Sequence, residues 1–200
     1  MNNHQTYSSS LLTASSEALR QQLLELIVEY AYREGDFILS SGAKSSYYIN
    51  CKEVTLRAEG ALILGRLILE ALPSETVAVA GLTLGADPIV SAVSVVSALT
   101  AHSIPALIIR KKAKGHGTKA YIEGPALDAG SRVVVLEDVV TTGKSALQAV
   151  ERLQDAGYKV EQIISLVDRN QGGKELYTSQ NLAFEALFSI EDLQRYVAST

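Results

Sequence analysis

Residues 133–145 read VVVLEDVVTTGKS, and the order of chemistry within them decides the fold. Four apolar residues, three of them β-branched, make a buried strand. Glu137 and Asp138 follow at its carboxyl end. The next residues must turn the chain into a helix. Thr141, Thr142 and Ser145 supply hydroxyls there, and Gly143 lets backbone approach a ligand closely. The helix expected over Lys144–Ala156, stopped by Gly157, offers unpaired N–H groups and the positive end of its dipole. Strand, turn and helix in that order place an anion cradle at the carboxyl edge of an α/β sheet, where such sheets bind ligands.

The same rhythm extends outward in both directions. Thr76–Ala80, Ala106–Ile109 and Gln162–Val167 are further buried-strand runs, and Arg132–Leu136 is the strand of the opening motif. Helices are expected over 58–72, ended by Pro73, and over about 86–101. Continuous apolar strands alternating with helices predict an α/β fold, a parallel Rossmann-like sheet with helices on both faces. Before it, residues 1–14 read as a flexible lead-in. Ser15 or Ser16 can cap a helix carrying Leu19, Leu23, Leu24, Ile27, Val28 and Ala31 at helical spacing, with Gly35 as its end. Residues 37–52 are strand-like on both sides of a Ser-Gly turn. Residues 183–200 include a last helix with a capping pattern from Ser189 to Asp192. The expected organisation is one domain over 1–200: helix and small hood at about 15–55, core at about 58–172, and a closing strand and helix at 173–200.

Composition narrows the function classes. The chain has 200 residues, 47% hydrophobic, with a net charge of -4. A full core is expected, and phosphate-driven nucleic-acid binding is disfavoured. The single cysteine, Cys51, cannot form an internal disulfide and is expected as a half-buried strand residue. The most apolar stretch, Val77–Leu99, is broken by Gly81, Gly85, Asp87 and Pro88, so it reads as strand, loop and helix and no membrane span is expected. The polar start MNNHQTYSSS does not read as a secretory signal, and a cytoplasmic location is expected.

Acids beside an anion cradle need a reason, because negative charge repels phosphate. Carboxylates can accept hydrogen bonds from vicinal sugar hydroxyls and can stabilise positive charge developing on a sugar ring. A sugar phosphate uses both halves of the motif. Gly143-Lys144-Ser145 also matches the end of a nucleotide P-loop, but that loop requires glycine where Asp138 stands. An ordinary capped turn without a ligand is the plain structural alternative.

Val133–Ser145 resembles the phosphoribosyl-pyrophosphate motif of type I phosphoribosyltransferases, and the form EDVVTTGKS is most similar to that of the orotate members. The basic run Arg110-Lys111-Lys112-Ala113-Lys114-Gly115-His116-Gly117 resembles their catalytic loop, R-K-x-x-K-x-H-G. Residues 37–50 resemble their N-terminal hood, and Gly81–Pro88 occupies the place of their pyrophosphate loop. Ser40 stands where many relatives carry lysine, and Leu84-Gly85 where some carry Tyr-Lys.

The resemblance implies transfer of ribose 5-phosphate from phosphoribosyl pyrophosphate to orotate, giving orotidine 5′-monophosphate and pyrophosphate in pyrimidine biosynthesis. It implies Lys114, Glu137 and Asp138 as catalytic residues. Arg110, Lys111, Lys114, His116 and the run Glu137, Asp138, Val139, Val140, Thr141, Thr142, Gly143, Lys144, Ser145 would bind phosphoribosyl pyrophosphate. Thr141, Arg169, Tyr48 and Ile49 would face orotate, with Arg169 on its carboxylate. No metal ligand set of protein side chains is implied; magnesium would be held through substrate and water. A homodimer that shares the basic loop between subunits is implied as well. The rival readings are a purine-type transferase and a non-catalytic regulator that senses the sugar phosphate.

Overall fold

The computed structural model describes residues 11–38, 44–113 and 121–200. Lys114 and His116 therefore lie outside the described residues, as does Ser40.

Ser15 caps α1 (Ser16–Leu26), its side chain accepting from Ala18 N. The helix continues as one π-helical turn, Ile27–Ala31, and the chain then enters strand β1 (Tyr32–Ile38). Gly35 thus lies inside a strand and ends no helix. It sits where the pairing with β2 (Lys44–Ile49) shifts register between Glu34 and Phe37. A β-bulge uses glycine as readily as a helix end does, which is why the sequence misleads there. β1 and β2 form a separate antiparallel pair, the hood. Cys51 precedes the short helix α2 (Lys52–Thr55) and is fully buried, so it is neither half-exposed nor in a strand.

The core then alternates as its periodicity predicts. Helix α3 (Ala58–Ala71) leads to β3 (Ala78–Leu82), α4 (Asp87–Ser97), β4 (Ala106–Ile109) and the two-residue β5 (Ile122–Glu123). Next come β6 (Val133–Val140), α5 (Lys144–Asp155), β7 (Gln162–Asp168), α6 (Gly173–Ser179), β8 (Ala183–Ser189) and α7 (Ile190–Ser199). The capping box at Ser189 and Asp192 is formed. The sheet order is β5-β4-β3-β6-β7-β8, parallel except for β5 at one edge. One hydrophobic cluster, including Ile63, Ile89 and Leu136, packs on α1, α3 and α4. A second, including Val133, Val135, Val150 and Tyr177, packs on α5 and α6. A sheet covered on both faces needs strands that are apolar on both sides, which accounts for their unbroken hydrophobic runs.

The topology fixes where a ligand can enter. From β3 the chain moves outward to β4, and from β6 it moves the other way to β7 and β8. The switch point therefore lies between β3 and β6. These two strands pair only at Ala78–Ala80 with Val133–Val135, whereas β6 stays paired with β7 as far as Val140. Beyond Val135 the two neighbours at the switch point are free to part, opening a crevice at the carboxyl edge.

Candidate active site

Four segments singled out by their residue chemistry each follow the carboxyl end of a parallel strand. Gly81–Pro88 closes β3, Arg110-Lys111 follows β4, Thr141–Ser145 follows β6, and Arg169 follows β7. Since these strands are neighbours in the order β4-β3-β6-β7, the segments meet along one edge. Glu137 and Asp138 are themselves within β6, because the strand runs to Val140 and not to Leu136 as its apolar run implied.

The cradle is built by Gly143, which enters α5 at φ 80 in the left-handed region that glycine tolerates. Glu137, Val139, Val140, Thr141, Thr142, Gly143, Lys144 and Ser145 line a cavity of about 80 Å³ there. A ligand above the turn meets the first N–H groups of α5, a twelve-residue helix. Across the switch point the β3 loop comes close: a Cβ on Gly85 would lie 2.4 Å from Asp138 Oδ1. A side chain there would displace the Asp138 carboxylate, so glycine lets the backbone of that loop lie against the acid. Lys52 Nζ approaches Asp138 Oδ2 from α2 at 3.9 Å.

Glu137 is buried, with Oε2 unpaired among the described residues. Burial first, and then the neighbouring Asp138, push its carboxyl well above the ordinary carboxylate range. The Lys111 charge acts in the opposite sense. A carboxyl that resists charging lessens the conflict between two acids and a phosphate.

Arg169 is the other fixed point. It is 8% exposed, with Nε donating to Tyr47 Oη at 3.0 Å and Nη2 to Ser45 Oγ at 3.3 Å. Its guanidinium also stands 4.7 Å from the Tyr47 ring centroid. The hood is thereby tied to the end of β7, and the planar fork is held in one orientation. Tyr48 is on the opposite face of β2, 46% exposed, its ring 5.6 Å from Phe37. The side chain brought to Arg169 is thus Tyr47, while Ile49 is half-buried against the core.

At the end of β4, Arg110 is paired with Glu123 at 2.9 Å. Arg152, on the helix whose first turn is the cradle, donates to the Arg110 and Lys111 carbonyl oxygens and stands 4.1 Å over the Tyr121 ring. Helix α5 therefore holds the phosphate turn at one end and grips both stems of the basic segment further along. Sequence reading missed Lys52, Tyr47 and Arg152, which converge on the site from distant positions. Tyr47 alone had a signal, since it lies within residues 37–50, the stretch that resembles the hood.

Comparison with known proteins agrees with this geometry. Residues 58–188 match the family model of the phosphoribosyl transferase domain. The chain belongs to the phosphoribosyltransferase family, on its orotate branch. The orotate phosphoribosyltransferase of Synechocystis is 67% identical over 187 residues, covering 94% of each chain. The Mycobacterium tuberculosis orotate phosphoribosyltransferase solved with Fe(III) dicitrate superposes with a TM-score of 0.78 at 36% identity, covering 88% of this chain and 98% of that one. The same enzyme solved with 5-phospho-alpha-D-ribosyl 1-diphosphate gives 0.75 at 33% identity, over 88% and 99%. These likenesses span both the cradle and Arg169, so the family is shared across the site.

Proposed function

We infer that this protein transfers ribose 5-phosphate from phosphoribosyl pyrophosphate to orotate, releasing pyrophosphate and forming orotidine 5′-monophosphate. The observation that carries the reading is Arg169, locked by Tyr47 and Ser45 on the same sheet edge as the sugar-phosphate cradle. A buried guanidinium fork matches a planar carboxylate, the group that distinguishes orotate from purine bases.

In the reaction the bond from the anomeric carbon to pyrophosphate breaks as N1 of orotate bonds to that carbon. Thr141–Ser145 and the N–H groups of α5 hold the 5-phosphate, with Thr141 also beside the base. Glu137 and Asp138 accept from the ribose hydroxyls and favour the positive charge that develops on the ring. Lys114 stabilises the departing pyrophosphate, with Arg110, Lys111 and His116 on its oxygens. Closing the basic segment over the site excludes water, a competing nucleophile.

The acids offer hard oxygen donors, which fit magnesium better than a softer metal. Magnesium, held with the substrate and water, would neutralise charge on the leaving group. The working unit is a homodimer in which each basic segment serves the neighbouring subunit's site. No helix among the described residues is long and apolar enough to cross a membrane. The single cysteine fits a reducing cytoplasm, where we place the enzyme.

The test is direct. Purified protein with orotate, phosphoribosyl pyrophosphate and magnesium should consume orotate's ultraviolet absorbance and leave adenine and hypoxanthine unchanged. Turnover of a purine in place of orotate would overturn the assignment.

A further inference from the structure

Tyr177, on α6, lies outside the machinery described above, yet it stands beneath the cradle. Among the described residues it is the largest of the fully buried side chains, at 0% exposure. Its ring packs 5.1 Å from Phe184 and directly against Gly143. A Cβ on Gly143 would lie 2.9 Å from Tyr177 Cζ and 3.0 Å from Oη. The phenol therefore fills the space a side chain at the centre of the turn would need. Tyr177 also lines the cavity formed by Thr141–Ser145 and Glu137.

The hydroxyl has no hydrogen-bond partner among the described residues, although it is buried. Folded proteins seldom leave such a group unmatched, and those that remain are frequently explained by function. Burial, then the charges of Glu137 and Asp168, push the phenol's pKa upward. The group therefore keeps its proton, as an unmatched donor on a side chain that lines the cavity. A donor of this kind suits an anion. The N-terminus of α5 points to the same ligand independently, through its free N–H groups.

We propose that Tyr177 is a phosphate-binding residue, whose hydroxyl donates to an oxygen of the substrate's 5-phosphate in the Thr141–Ser145 cradle. This rests on the phosphoribosyl-transfer reading and adds a contact that no residue of the motif supplies. It also gives Gly143 a second reason to be glycine, beyond its left-handed φ of 80. Another acceptor lining the same cavity is Glu137, whose Oε2 is likewise unpaired among the described residues. The two recipients predict different behaviour.

The experiment compares wild type with Tyr177→Phe in three measurements. These are the KM for phosphoribosyl pyrophosphate and kcat at saturating orotate, calorimetric binding of ribose 5-phosphate and of inorganic pyrophosphate, and thermal unfolding without ligand. Wild-type turnover comes first; its failure would sink the transfer reading itself and not the tyrosine contact. Given turnover, Tyr177→Phe should raise the KM and weaken ribose 5-phosphate about tenfold, the loss of one hydrogen bond to a charged group. Pyrophosphate affinity, kcat and unfolding temperature should stay near wild type. A merely structural tyrosine would shift unfolding but not the difference between the two ligands. Unchanged ribose 5-phosphate affinity overturns the proposal. So does an equal loss for pyrophosphate, or a change confined to kcat and its pH profile, which would assign the hydroxyl to Glu137.

Discussion

Glu137 and Asp138 are adjacent in the chain but differently housed. Asp138 meets the β3 loop and Lys52, whereas Glu137 is closed off from water and its carboxyl is pushed up, chiefly by burial. A folded carboxyl held above its unfolded value of about 4.3 binds its proton over a wider pH range than the unfolded chain does. The stability linked to that proton is complete below the unfolded pKa and is lost as pH rises through the folded one. Glu137→Gln removes that loss. In urea unfolding the variant should match wild type near about pH 4.5 and exceed it by about pH 8. A gap independent of pH would show that Glu137 charges freely. Measured at a pH where the wild-type carboxyl is charged, the same change should lower kcat about 100-fold, through lost stabilisation of charge in the transition state. The acids were legible because their chemistry sits in consecutive residues. Lys52 and Tyr47 were not assigned to these partners, because tertiary packing delivers them and no spacing announces it.

At the level of elements, α5 does two jobs. Its first turn is the cradle, and Arg152 in its third turn grips the carbonyl groups of Arg110 and Lys111 and covers Tyr121. Arg152→Ala should therefore lower kcat/KM about tenfold, because two hydrogen bonds and a ring contact that fix the stems are gone. Its unfolding temperature should change little, since Arg152 is not part of the buried core. An unaltered kcat/KM would mean the stems hold themselves. Strand and helix alternation was readable because burial on both sheet faces writes itself as apolar runs. The end of β6 was not, since its last residues are paired to β7 by backbone and carry functional side chains. Gly35 misled for a related reason. Glycine marks several kinds of backbone departure, and only the pairing partner tells a bulge from a helix end.

For the whole molecule, strand order explains why so many separate segments form one site. The switch between β3 and β6 opens the sheet where the acids lie, and the neighbouring strands bring the basic segment and Arg169 to the same edge. If the basic segment serves the partner subunit, mixed dimers offer a test. Lys114→Ala and Asp138→Asn proteins, each nearly inactive, should recover on subunit exchange up to about a quarter of wild-type activity, because a mixed dimer keeps one intact site. No recovery after confirmed exchange would place both residues of a site in one subunit. The order of the sheet could be anticipated only as parallel, because sequence periodicity does not say which strands are neighbours.

The central claim is that Arg169 reads a carboxylate beside a phosphoribosyl site, and the most direct measurement compares orotate with uracil, the same ring without that carboxylate. Wild type should favour orotate by at least about 100-fold in kcat/KM, and Arg169→Ala should erase most of that preference while still binding phosphoribosyl pyrophosphate. Equal use of the two bases by wild type, or a preference that survives Arg169→Ala, would contradict the account.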